Sequence, residues 1–119
     1  MSEARRFSQL SPARQALVRI LQAINFGELQ GIQIQDTDPV LNRDSVVILD
    51  VKLDKEEGPR PELNLADFAL SEEVLRLMSR LNKLRNGTVQ RLEVRAGIPR
   101  RLVLASPLVE LLSRHNAVR

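Results

Sequence analysis

The residues best suited to chemistry are few and scattered. The single histidine, His115, follows Arg114 near the C-terminus with no carboxylate close in sequence to tune it, so it reads as a polar residue at a helix end. Asp36, Asp38, Asn42 and Asp44 have the types of a calcium loop. They lack its central glycine and the bidentate glutamate that closes it, and turn formation accounts for them better. Ser11, Ser71 and Ser106 precede apolar-periodic stretches as helix caps, and no Gly-x-Ser-x-Gly elbow surrounds any of them. Glu56-Glu57 falls in a polar linker and Glu72-Glu73 in a first helical turn, where solvent and the helix dipole explain both pairs. With no cysteine there is no thiol nucleophile, thiolate metal site or disulfide, and no glycine-rich phosphate loop leads from a strand into a helix. The expectation is a protein without enzymatic activity, cofactor or metal.

The pattern that remains is electrostatic. Residues 1–26 carry four arginines against Glu3, residues 27–75 four cations against twelve acids, and residues 76–119 ten cations against two acids. Such segregation lets the ends grip the middle, drives self-association, or presents a basic face to an anionic partner, and only the first needs no second molecule. The candidate anion-binding residues are Arg91, Arg95, Arg100 and Arg101, the first two sharing one face of a strand with Arg101 beside them and Arg100 at the turn. Glu93 between the two strand arginines, and three phenylalanines with no tyrosine or tryptophan, weigh against a single-strand nucleic-acid platform.

The elements that must position these residues follow from periodicity. The first nine residues have none and read as a loose basic arm. Ser11-Pro12 opens a helix with Ala13, Leu17, Ile20, Leu21 and Ile24 on one face and Arg14, Gln15, Arg19 and Gln22 elsewhere, and Gly27 closes it. From Leu29 the period is two, with Gln30, Ile32 and Ile34 on one side and Leu29, Gly31, Gln33 and Gln35 on the other. A turn at Asp36-Thr37-Asp38-Pro39 and a rather long loop lead to a second strand over Asp44 to Leu53, with Val47, Leu49, Val51 and Leu53 on one face. Residues 54–63, with two prolines, form a linker. A short helical turn is expected over 64–70. A second helix then starts at Ser71 with Val74, Leu77, Met78, Leu81 and Leu84 inward and ends at Asn86-Gly87. Strands over 89–95 and 101–105 follow, and Ser106-Pro107 opens a last helix over 106–119.

Sliding the chain by sixty positions superposes Leu10 on Leu70, Ser11 on Ser71, Leu17 on Leu77, Leu21 on Leu81, Gly27 on Gly87, Gln30 on Gln90 and Pro39 on Pro99. The predicted fold is therefore α+β: two αββ units (10–53 and 64–105) forming one domain with a four-stranded antiparallel sheet, the two long helices on one face and a C-terminal helix at an edge. Residues Ile24-Asn25-Phe26-Gly27, with Leu29, Ile32, Ile34 and Asp36, resemble the YezD-type family of short uncharacterised bacterial proteins, one helix and one hairpin long. That family tends to place a glycine after the aspartate, where this chain has Thr37; the second unit keeps Gly97 but has Asn86 in place of the aromatic. The resemblance implies a fold unit and pairing of such units, and carries over no catalytic residue.

Leu29, Val46, Ile48, Val89 and Val103 are expected on the sheet face away from the helices, where apolar side chains favour a cover. A homodimer or another protein is the expected partner, with nucleic acid the alternative. No apolar run approaches the length of a membrane span and no hydrophobic leader is present, which points to a cytoplasmic bacterial protein without a membrane partner.

Overall fold

A computed structural model describes residues 4–54 and 65–108. The elements run 3-10 turn η1 (Phe7–Gln9), helix α1 (Pro12–Ile24), strands β1 (Phe26–Gln30), β2 (Ile32–Gln35), β3 (Asp38–Val40) and β4 (Val46–Leu49), helix α2 (Glu72–Leu84), then strands β5 (Gly87–Arg95) and β6 (Ile98–Ala105). The fold is α+β, with two helices against one six-stranded antiparallel sheet. Of the predicted linker over 54–63 only Asp54 is among the described residues, and of the predicted last helix over 106–119, with His115, only residues 106–108 are.

Both helices begin as their sequences predict. The Ser11 hydroxyl accepts from the Arg14 amide and the Ser71 hydroxyl from the Val74 amide, each at 3.2 Å. Their ends differ from expectation. Asn25 (φ 61°, ψ −63°) and Arg85 (φ 62°, ψ −60°) take the positive φ at the helix ends, whereas Gly27 and Gly87 already lie in strands. Glycine is required there by crowding: a Cβ on Gly27 would run into the Ile48 carbonyl oxygen, and one on Gly87 would sit 2.7 Å from the Ala105 carbonyl oxygen. The inward residues of α2 are Val74, Leu77, Met78, Leu81 and Leu84, as the periodicity requires, while α1 also buries Val18 and Gln22.

β5 is the inner strand. β1 and β2 lie end to end along one of its edges, from Phe26↔Arg95 to Ile34↔Gly87, and β6 lies along the other. β3 extends the sheet beyond β2, and β4 extends it beyond β1. The expected simple alternation fails midway along both inner strands. Gly31 (φ 72°) separates β1 from β2, so Leu29 and Ile32 face the same way, and an irregularity between Val89 and Arg91 does the same for Val89 and Leu92. One extra residue reverses the face of everything beyond it. Leu29 and Val89 are consequently core residues, 1% and 3% exposed, and Gln90 turns outward.

The predicted long-loop hairpin is instead a two-residue turn. Asp36 (φ 49°) and Thr37 (φ 71°) link β2 to β3, as Ala96 (φ 54°) and Gly97 (φ 74°) link β5 to β6. Each turn satisfies the end of the helix from the other half of the chain. The Thr37 amide donates to the Arg85 carbonyl at 2.8 Å and the Gly97 amide to the Asn25 carbonyl at 2.9 Å. Leu41 to Ser45 then forms a local turn, with the Ser45 amide donating to the Asn42 carbonyl, and shifts the chain onto β1 as β4.

One hydrophobic cluster draws on both helices and on β1, β2 and β5, with Leu21 and Leu81 fully buried. The N-terminal stretch belongs to it and is no loose arm. Arg6 bridges Ala69, Phe7 is buried and stacks on Phe68 at 4.9 Å between centroids, and Arg19 lies over the Phe7 ring at 4.3 Å. Within the expected helical turn over 64–70, the described residues 65–70 form no helix, because this stretch docks extended against the arm.

Thr37 is a β-branched residue where the turn favours glycine, and its contacts to Arg85 and Arg14 are made by the backbone. Thr37→Gly should therefore stabilise the fold, by about 1 kcal/mol, read from the urea midpoint at unchanged slope. Asp67 pins the arm: the Arg6 guanidinium (2.8 Å) and then the Ser8 amide (2.8 Å) hold its carboxyl at about 2, below the ordinary 3.8. Stabilisation from a depressed carboxyl pKa is complete above the unfolded value and fades as pH falls through the folded one. The Ser8 amide resonance should accordingly titrate with a midpoint near pH 2, and Asp67→Asn should abolish that transition.

Candidate interaction site

The expected apolar outer face does not exist as a continuous surface. Leu29 and Val89 are in the core, and Val103 is half-buried on β6 opposite Arg91. Only Val46 and Ile48 are well exposed, and both belong to β4, at the far side of the sheet from Val103. Between them the open face is polar. Glu28 lies opposite Glu93, Arg91 reaches Glu28 at 3.3 Å, Arg101 approaches Glu93 at 3.9 Å, and Gln30 donates to Glu28 at 2.8 Å. A solvated face is what such residues make.

The charge segregation of the sequence is largely satisfied within the chain. Arg6 pairs with Asp67, Arg14 with Asp38, Arg91 with Glu28 and Arg100 with Glu73, each joining a basic end to the acidic middle. Arg14 is the most enclosed of these, its side chain 11% exposed, and it also donates to the Thr37 carbonyl (2.9 Å) and to Asn82 Oδ1 (2.6 Å). Asp38 additionally accepts from the Ser11 hydroxyl at 2.8 Å, while the Asp36 and Asp44 amides are held by Asn86 and Asn42 side chains. These acids thus serve turns and packing, and among the described residues no group of three or more histidine, cysteine, aspartate or glutamate side chains could hold a metal ion.

Three of the four candidate arginines share the open sheet face, Arg91 and Arg95 on β5 and Arg101 on β6 opposite Glu93. Arg100, an irregular position of β6 rather than a turn residue, leans toward α2 to meet Glu73 at 3.0 Å. Arg100 is gathered with Arg76 and Arg80 of α2 around a shallow cavity, which Arg101 also borders. Sequence reasoning missed the two helix arginines, whose i,i+4 spacing on the polar side of α2 was the available signal.

The feature that departs most from a finished sheet is β4. Val46, Val47, Ile48 and Leu49 are 47%, 47%, 44% and 57% exposed, and Val51 and Leu53 beyond them are more so. α1 packs chiefly over β3 and α2 over β6, so that among the described residues neither helix packs closely on β4, which is exposed along its length. Its register places Val47 opposite Leu29 and Leu49 opposite Gly27, on the helix side, with Ile48 opposite Glu28 on the open side. The Asp50 amide donates inward to the Phe26 carbonyl at 2.9 Å, so antiparallel alternation turns the amide groups of Val47 and Leu49 to the free edge. A continuous apolar run in the sequence reads equally as a buried strand or a free one, which is why its exposure was not legible.

No protein-family model, curated protein or solved structure matches this chain. No helix among the described residues is long and apolar enough to cross a membrane.

Because Gly27 lets the Ile48 carbonyl approach, Gly27→Ala should push β4 off β1. The expected cost is about 2 kcal/mol or more in urea unfolding, with loss of amide protection concentrated in residues 46–50.

Proposed function

We propose that this chain is a non-enzymatic interaction module that pairs with a second copy of itself through the free edge of β4. The observation that carries this reading is the run Val46-Val47-Ile48-Leu49, apolar and exposed, with the backbone of Val47 and Leu49 turned away from β1 to an edge that no other described strand pairs. An edge of this kind is a template for another strand, and soluble chains that do not use one blunt it with charge, proline or bulges. β6, the other long edge, is blunted in that way. It has register shifts against β5 and carries Pro99, Arg100 and Arg101. One open edge and one guarded edge favour a closed twofold pair over a growing fibre. In the antiparallel pair, Val47 and Leu49 of each copy exchange backbone hydrogen bonds, and their side chains extend the apolar layer that already lies beneath the helices.

On this reading the chain is a duplicated αββ unit. Its six strands are the segments of four long ones, broken at Gly31 and at the turn over residues 41–45. Support comes from positions sixty apart: serine caps at 11 and 71, positive-φ helix ends at 25 and 85, and tight turns at 36–37 and 96–97. The pairs Gly27↔Val94 and Ile34↔Gly87 exchange under the same shift. The resemblance to the YezD-type family supports the same unit and its pairing. A nucleic-acid role for Arg91, Arg95, Arg100 and Arg101 has less support, since three of the four lie within reach of a carboxylate on this chain.

Static light scattering over a dilution series tests the pairing. The expected mass is twice that of the chain, falling to one chain for Leu49→Lys, whose thermal unfolding stays cooperative. A strict monomer at the highest concentration overturns it.

A further inference from the structure

Between α2 and β6, at the opposite edge of the sheet from β4, lies a cavity of about 170 Å³ whose floor is Leu77, Leu92, Pro99 and Leu102. Its rim carries Arg76, Arg80 and Arg100, with Glu73 as the one acid among the described lining residues, while Arg101 borders it with its guanidinium turned toward Glu93 on the open face. These arginines are weakly committed. Arg76 meets Glu72 only at 3.8 Å, with both side chains mostly in solvent; Arg101 meets Glu93 at 3.9 Å. Among the described residues Arg80 has no hydrogen-bond or ion-pair partner. Arg100 alone is firmly held, by Glu73 at 3.0 Å, so a carboxylate of the chain already sits where an outside anion would bind.

The geometry points to this groove as a binding site for a small organic anion with an apolar tail, its carboxylate or phosphate head on Arg76 and Arg80 and its tail on Leu77 and Leu102. Guanidinium forks bind both head groups bidentately and hold them over an apolar surface better than lysine would. The size of the cavity bounds the ligand, because clefts that enclose drug-sized molecules run to roughly 300–1,000 Å³ and this one takes only a short chain. Glu73 competes for the same cations and tunes the affinity downward, so its removal strengthens binding. A purely structural ion pair would give no such gain.

Calorimetric titration of the full chain with octanoate and with octyl phosphate tests the site, with inorganic phosphate and a mixed-sequence oligonucleotide as comparators. One amphiphile or both should bind one per chain, and which of them binds identifies the head group. Arg76→Gln with Arg80→Gln should weaken binding about tenfold or more. Glu73→Gln should strengthen it severalfold, while Arg91→Gln on the open face and Leu49→Lys on the far edge leave it unchanged. Circular dichroism confirms that each variant is folded. The assignment is overturned if neither amphiphile binds, if the paired arginine substitution has no effect in a folded variant, or if phosphate or the oligonucleotide binds as tightly as the amphiphiles.

Discussion

The fold rests on an exchange of two hydrogen bonds. A helix leaves its last carbonyl groups to be satisfied from elsewhere. Here the donor for each helix is a turn amide from the opposite half: Thr37 for Arg85, and Gly97 for Asn25. Neither half can be withdrawn without orphaning both a turn and a helix end. The same exchange sets the β1/β2 line against β5 over its full length, because the turns stand at the ends of those strands. Single helix–hairpin units are too small to close a core, and the fully buried pair Leu21 and Leu81, one from each helix, marks where the halves close on each other.

Departure from equivalence between the halves then decides what the surface offers. In the second half the outer strand β6 runs continuously beside β5 and is covered by α2. In the first, the turn over residues 41–45 and the kink at Gly31 detach β3 from β4, and α1 stays with β3. β4 keeps its apolar sequence without a helix above it. Charge follows a similar division: acids collect around the first half and arginines around the second, and pairs such as Arg14–Asp38 and Arg91–Glu28 bind one half to the other. Individually exposed pairs of this kind contribute little to stability. Among the described residues, the arginines left without a carboxylate partner include Arg80 at the α2–β6 groove and Arg95 on the open face.

Much of this was legible in the sequence, for definite physical reasons. Serine caps and 3.6-residue spacing gave both helices, and the inward face of α2 was read residue for residue, because caps and amphipathicity are local. What failed was parity. A bulge is one residue of excess with no side-chain signature, and it moved Leu29 and Val89 from the outer face into the core. Thr37 concealed a tight turn because glycine, the residue that advertises it, is present only in the copy at Gly97. The N-terminal stretch was misread because Phe7 finds its partners in Phe68 and Arg19, contacts that no periodicity within nine residues can announce.

The two surfaces proposed for binding stand at opposite edges of one sheet, and their chemistry is complementary in kind. β4 offers backbone groups and aliphatic side chains to a partner that continues the sheet, whereas the α2–β6 edge offers guanidinium groups around an apolar floor and resists sheet continuation through its irregular register. A twofold pair formed at β4 therefore buries neither groove and places one at each outer end of the joined sheet. Occupation of one groove has no direct contact through which to oppose the pairing. Any coupling between them must pass along β5, the strand that supplies Leu92 to the cavity floor and pairs with β1 beside β4.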